Sequence, residues 1–377
     1  MLTQPGLLPP LFLFVREDYG VSYTQLGLAL TAFNVISAVL QTPAGFLVDR
    51  YSARIVLIVG LLLGAFAFLL AGLVNSFWVF VLMFAVAGIG NTVYHPADYA
   101  LLSRHVAPER MGQAFSIHTF SGILGGAVAP ASLLLMQSFW GWRGAFIGAS
   151  LLGLVAAALL AVQRDAPAAA PMSARAKQET AAADASGWQL LMTTPILGNL
   201  AFFVLLSVTN GGLQNYSVVA LGALYGTSPI VANTALTGYL VLSAIGVLLG
   251  GLLLSRSKRY ALIAAIGLAV TGLAAVLVGS FPFGTIVLLA LMSVGGLFQG
   301  IVMPSRDMLV REVTPPGAFG KVFGFVTTGF NIGGVISPLI FGAVLDHGAP
   351  QAVFLLVGVC AVLAITLVAV LARARTH

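Results

Sequence analysis

Apolar residues run through this chain in long blocks, with polar residues interrupting them at wide intervals. A helix that crosses the hydrocarbon of a bilayer needs roughly 20 apolar residues. Blocks of that length lie near 24–48, 55–74, 77–102, 112–136, 144–163, 195–222, 228–254, 261–279, 284–311, 319–341 and 349–371, and they predict eleven complete spans. Ahead of Arg16 there are at most about a dozen apolar positions, broken by Pro5, Pro9 and Pro10, too few to cross unaided. This stretch predicts the outer half of a twelfth span. Counted from it as the first, spans 3, 6, 9 and 12 carry almost nothing polar, as helices surrounded by lipid do. The other spans hold Asn34 and Gln41; Asn91, His95 and Asp98; His118; Asn199, Asn210, Gln214, Asn215 and Tyr216; Asn233 and Tyr239; Gln299, Arg306 and Asp307; and Asn331. Amides and charges inside a bilayer need partners or water, so these segments are expected to surround a polar cavity.

Composition agrees: the chain is 59% hydrophobic and 7% charged, with a mean hydropathy of +1.03, which predicts an all-α polytopic membrane protein. The net charge of +6 does not indicate nucleic acid, because the basic residues are scattered singly and form no patch. They report orientation instead. Of the 17 Lys and Arg, all but Arg16 and Arg143 fall on one side of the spans. Basic loops are retained in the cytoplasm, so the C-terminus is expected there, in a bacterial inner membrane. The single cysteine, Cys360, lies in an apolar run, which excludes a disulfide framework and a Cys-based metal site. No basic leader precedes the first apolar run. Residues 164–188, rich in Ala, Pro and charge, predict a flexible cytoplasmic linker between an N-terminal half, 1–163, and a C-terminal half, 189–377.

The halves are related. Sliding the second on the first by 208 residues aligns 96–130 with 304–338 and matches Pro96/Pro304, Leu101/Leu309, Pro108/Pro316, Gly112/Gly320, Phe115/Phe323, Thr119/Thr327, Gly125/Gly333, Gly126/Gly334 and Pro130/Pro338. Most of the matches are Gly or Pro, which fix backbone shape. An offset of 206 also places Gly45 to Arg50 on Gly251 to Arg256. Two homologous halves with an even number of spans insert in the same orientation, related by a pseudo-two-fold axis along the membrane normal, which is a transporter architecture. By the same offset, the partner of span 7 is expected to begin about a dozen residues before Met1.

After span 2 the chain reads Gly45-Phe-Leu-Val-Asp49-Arg50-Tyr51-Ser52-Ala53-Arg54. This resembles the signature loop of the major facilitator superfamily, with Ser52 where that family usually has Gly. Tyr94-His95-Pro96 and the later Met111-Gly-Gln-Ala-Phe115 are similar to the fosmidomycin-resistance-type branch, whose members include drug exporters. The resemblance implies a secondary active transporter that moves a small organic solute by alternating access, with no enzymatic role and no cofactor. The family's export-linked pattern in helix 5 is not matched by Ala129-Pro130-Ala131-Ser132. Drug or metabolite efflux and solute import both stay open. In this framework Asp49 is expected to pair with Arg54 or to accept from the positive N-terminus of helix 11 near Gly317 to Lys321, forming a cytoplasmic latch with Arg50 and Arg54. Otherwise Asp49 caps a short loop and the arginines are retention signals.

Where the repeats differ, function is expected. Asp98 falls on Arg306 and Arg104 on Glu312, so Asp98 and Arg306 are candidates for a cytoplasmic gate. The alternative is local pairing of Asp307 with Arg311 and an Asp98 that reaches the interface. His95 and His118 correspond to Met303 and Val326. An imidazole inside a membrane titrates near neutral pH, which makes both candidates for proton coupling, or else structural hydrogen-bond donors. In span 7, Gly211-Gly212 is expected to weaken the helix where Asn210, Gln214, Asn215 and Tyr216 cluster. With Asn34, Asn91, Asn233, Gln299 and Asn331 these form the candidate substrate and proton pathway. No phosphate loop of the G-x-x-x-x-G-K-[ST] type occurs, so ATP is not this chain's energy source. A membrane enzyme using His95, Asp98 and His118 as metal ligands or acid and base is the remote rival.

Overall fold

The computed structural model describes residues 11–21, 23–163 and 187–373, and every regular element among them is helical. The first ten residues, and 164–186 with most of the expected linker, lie outside the described residues. In chain order the α-helices are α1 Phe12–Tyr19, α2 Tyr23–Arg50, α3 Ala53–Leu73, α4 Phe77–Asn91, α5 Tyr94–His105, α6 Met111–Val162, α7 Trp188–Leu191, α8 Thr194–Gly211, α9 Ser217–Tyr225, α10 Pro229–Arg256, α11 Tyr260–Ser280, α12 Thr285–Val313, α13 Phe319–Asp346 and α14 Gln351–Arg373. Ten stretches of described residues are long and apolar enough to cross a bilayer. Large apolar side chains stand exposed on α3 (Val59, Phe66), late α6 (Val155, Leu159), α11 (Leu262, Leu273) and α14 (Val359, Val362). Apolar faces of that extent are covered by lipid, not water.

Three interruptions shape the spans, each with a local cause. Spans 5 and 6 are continuous in α6 except at Gly141, whose φ of 68° and ψ of 174° are open to a residue without Cβ. Span 4 breaks at Thr92 and Val93, between α4 and α5. Pro96, four residues beyond Thr92, lacks an N–H, and its ring displaces that carbonyl. The end of α4 tightens accordingly: the Thr92 N–H and hydroxyl both donate to the Ile89 carbonyl, at 3.2 and 2.6 Å. Span 7 is not cut at Gly211-Gly212. It passes through a π-helical turn, Gly212–Tyr216, and continues as α9.

The chain folds as two compact units that each take a short piece from the opposite half of the sequence. Of the described residues, those within Met1–His105, Ser121–Ser186 and Pro315–Phe325 make the first, which so includes the opening of α13; those within Val106–Phe120, Gly187–Thr314 and Val326–His377 make the second, which so includes the opening of α6. The core of the first unit is aromatic: Phe33, Phe68, Phe80, Phe84, Trp142 and Phe146 are buried together, with Phe80 meeting Phe84 at 4.9 Å and Phe146 at 5.6 Å between ring centroids. Arg143 closes one end of that core, paired with Asp18 at 2.7 Å and stacked 4.4 Å over Trp142. In the second unit, α10 and α12 cross backbone to backbone. A Cβ built on Gly296 or Gly300 would lie 2.1 or 2.0 Å from the carbonyl oxygen of Tyr239 or Ser243, so only glycine permits this approach.

Candidate functional site

Within the first unit, the end of α2 packs on the opening of α13. The approach is glycine on glycine: a Cβ on Gly45 would stand 2.4 Å from the Gly320 oxygen, and one on Gly320 would stand 2.6 Å from the Gly45 oxygen. This closeness brings the Asp49 carboxylate onto the helix start, where Oδ1 accepts from the Gly320 N–H and Oδ2 from the Lys321 N–H, both at 2.7 Å. The first N–H groups of a helix have no partner within it, and they carry the positive end of its dipole, so an aspartate is the residue type that satisfies both needs. The cap is buttressed on two sides. Lys321, itself buried, holds its ammonium 5.6 Å over the Phe46 ring, and Tyr99 stacks on Phe323 at 4.1 Å with the planes 13° apart. Arg54 donates to the carbonyls of Leu160, Ala161 and Gln163 at the end of α6, where a cation meets the negative end of a helix. Arg50 is exposed beside Tyr51.

The second unit contains the repeat's other copy of this crossing, built from the end of α10 and the opening of α6. A Cβ on Gly251 would meet the Ser116 Cβ at 2.4 Å, and one on Gly112 would meet the Leu254 Cβ at 2.7 Å. Ser116 donates its hydroxyl to the Val247 carbonyl. The residue matching Asp49 is Ser255, whose hydroxyl turns back on its own helix to the Leu252 carbonyl at 2.7 Å. The crossing is repeated; the anionic cap is not.

Deeper in the second unit lies a buried polar cluster. The Asn210 Oδ1 accepts from the Tyr239 hydroxyl at 3.4 Å and from the Gln299 Nε2 at 3.2 Å. Tyr239 and Gln299 are each 1% exposed, and the Gln299 Oε1 is buried with no hydrogen-bond partner. An orphaned acceptor at that depth is costly, and it sits beside a π turn, a feature frequent at functional sites. Gln214 and Asn215 within that turn are exposed, and Tyr216 packs on Phe341.

Two helical turns beyond Gln299, about 10 Å along α12 at the helical rise, lies Arg306, 3% exposed. Its guanidinium carbon sits 4.7 Å over the Phe203 ring and 4.9 Å over the Phe330 ring. Its Nε and Nη2 each lie 2.8 Å from Oδ1 of Asp307, which is wholly buried. Asp307 is thus paired with its neighbour in sequence, whereas helical spacing pointed to Arg311.

The remaining expected residues are spread over both units. In the first, Asn91 donates to the Ser37 hydroxyl at 3.3 Å, and Ser37 donates to the Gly88 carbonyl; His95 lies 6.3 Å from the Tyr99 ring, Asp98 is half-buried, and Asn34 is exposed. In the second, His118 is half-buried within range of the Arg306 charge, Asn233 is exposed, and Asn331 is half-buried. Sequence reasoning placed Tyr239 and Asp307 among the polar residues of the spans and Lys321 at the start of helix 11 without naming them as site residues, and it passed over Phe203 and Phe330. For Asp307 the signal was its position beside Arg306, a basic residue within a span; an aromatic in an apolar run carries none.

The Major Facilitator Superfamily model matches this chain over residues 3–223 and 200–377. The probable L-galactonate transporter of Escherichia coli is 30% identical over 142 residues, 38% of this chain and 31% of that protein. The probable sulfoacetate transporter SauU of Cupriavidus necator is 27% identical over 355 residues, covering 88% of this chain and 81% of its own length. The fosmidomycin resistance protein of Escherichia coli is 24% identical over 354 residues, with 93% and 84% covered. Among solved structures, the Escherichia coli fucose:proton symporter FucP superposes with a TM-score of 0.74 at 18% identity, covering 98% of this chain and 96% of that one.

Proposed function

Because this chain belongs to the major facilitator superfamily and is a multi-pass membrane protein of the secondary-transporter class, we propose that it moves a small organic anion by alternating access, coupled to protons. The observation that carries the substrate class is Arg306, a guanidinium buried between two phenyl rings two turns from a carboxamide cluster with an unused acceptor. Guanidinium is the side chain suited to carboxylate, sulfonate and phosphonate oxygens, and the orphaned Gln299 oxygen favours a solute that also carries a donor such as a hydroxyl. Two relatives are named for organic anions, L-galactonate and sulfoacetate, which supports the same class. His118, a titratable side chain on the opening of α6 in the same unit as Arg306, is a proposed relay for the proton.

Asp49 is the proposed latch of the state closed at the basic end of the spans. Opening that end separates its carboxylate from Gly320 and Lys321, and each charge-assisted hydrogen bond lost costs about 1.5–3 kcal/mol. We place that end, and with it the C-terminus, in the cytoplasm of a bacterial cell, on the distribution of Lys and Arg. Counterflow in proteoliposomes against carboxylates, sulfonates and neutral sugars at two pH values tests the reading. The expected result is saturable exchange of a carboxylate or sulfonate that sugars do not inhibit; exchange of uncharged solutes alone would overturn it.

A further inference from the structure

We propose that Asp307 is the proton-accepting group of the transport cycle, and that it and the substrate's negative group are alternative partners of Arg306. The inference rests on the anion-transporter reading above and assigns its coupling site.

A guanidinium edge and a carboxylate pair best as two forks, with two N–H groups on two oxygens. Here the Nε and Nη2 of Arg306 both converge on the same oxygen, Oδ1 of Asp307, at 2.8 Å each. Residues adjacent in a helix do not face each other, so Asp307 reaches this edge from the side. An incoming carboxylate or sulfonate that presents two oxygens makes the more complete pair. Phe203 from α8 and Phe330 from α13 lie over the guanidinium at 4.7 and 4.9 Å. They hold the cation in place when its anionic partner changes, since ring faces attract it without supplying a charge.

Burial turns this competition into coupling. Arg306 is 3% exposed and Asp307 is 0% exposed, so bringing a second anion to this guanidinium adds a buried negative charge and its desolvation cost. A proton arriving on the Asp307 carboxylate makes it a neutral acid and removes the conflict: the O–H bond forms, Arg306 stays charged, and the substrate anion replaces Asp307 as its counter-ion. When the anion leaves, the proton leaves Asp307 and the internal pair re-forms. One proton travels with one negative charge, and neither is bound stably without the other.

Among the described residues, the other ionisable groups on elements packed around this part of α12 are few. His118 comes from the opening of α6, within range of the Arg306 charge, and Tyr239 comes from α10, hydrogen-bonded to Asn210. Tyr260 of α11 is associated with Arg311 and Glu312 at the basic end of α12, and Arg256 ends α10. Neither α8 nor residues 326–345 of α13 carries an ionisable side chain.

The test uses the full chain with protons as the first probe. Infrared difference spectra of the purified protein on acidification are expected to show a carboxylic-acid C=O band that Asp307→Asn removes and Asp307→Glu shifts. A band unchanged in both variants overturns the proposal, and if Asp307→Asn does not fold, the Asp307→Glu shift decides. The second readout is uptake of the carboxylate or sulfonate that the wild type exchanges. One pH unit across the membrane drives at most about tenfold accumulation for one coupled proton; this ratio is expected to persist in Asp307→Glu and to fall to about one in Asp307→Asn. Wild-type gradient dependence in Asp307→Asn overturns the assignment while leaving the transporter reading intact. Absence of any anion exchange in the wild type overturns the transporter reading, and the infrared band still reports on Asp307.

Discussion

The two copies of one helix crossing in this protein share a backbone and differ in what closes them. At the end of α2, Gly45 and Gly320 meet backbone to backbone and Asp49 caps the opening of α13. At the end of α10, Gly251 meets a side chain, Ser116, and Ser255 bonds only to its own helix among the contacts seen. Duplication preserved the small residues that let helices touch; the charge that caps the helix start stands in one copy. A difference of the same kind separates spans 4 and 10. Pro96 breaks its span at Thr92, whereas Pro304 sits in an uninterrupted α12, clamped on α10 by Gly296 and Gly300. The first half bends and supplies the anionic cap; the second holds the buried cation.

The glycine contacts offer the sharpest way to break the comparison. Gly45→Ala drives a Cβ into a backbone oxygen that no rotamer change can move, and overpacking of that kind costs about 1–3 kcal/mol or more. Gly251→Ala meets chiefly a side chain instead, so Ser116→Gly is expected to restore part of the thermal stability that Gly251→Ala loses, while no side-chain truncation rescues Gly45→Ala. Melting temperatures in detergent for the singles and the pair decide it. Equal and equally irreparable losses would erase the distinction. Next in size is Asp49→Asn, which leaves one acceptor for two N–H groups. At about 1.5–3 kcal/mol per charge-assisted bond, amide exchange at Gly320 and Lys321 is expected to accelerate tenfold or more, and unchanged exchange would mean the cap contributes nothing. The smallest effect belongs to Ser255→Asp, which supplies the missing anion to the opening of α6. An anion at a helix start contributes about 0.3–1 kcal/mol, so exchange at Gly112 and Gln113 is expected to slow a few-fold.

Much of this was legible in the order of residues, for physical reasons that also mark the limit. Spans are visible because bilayer thickness sets a length, and the two-halves fold because Gly and Pro recur at a fixed offset. The resemblance read at Gly45 to Arg54 and at Tyr94-His95-Pro96 agrees with the family match and with the fosmidomycin resistance relative. The start of α13 stood as one of two partners for Asp49, the other being Arg54, and spacing alone does not choose between them. Gly211-Gly212 marked a weak place in span 7 but not its form, since whether a helix breaks or slips into a π turn depends on neighbouring helices. The partner of Arg306 was out of reach. Helical spacing looks three or four residues away, and a long arginine folding onto the adjacent Asp307 between two rings is a tertiary outcome.

Whether the buried guanidinium of Arg306 receives the substrate's negative charge is decided by Arg306→Gln beside Arg306→Lys in proteoliposome counterflow. Arg306→Gln is expected to lower exchange of the transported anion by about tenfold or more, one charge-assisted pair being worth that much, while Arg306→Lys retains a measurable part. Wild-type exchange of the same anion by a folded Arg306→Gln protein would contradict it.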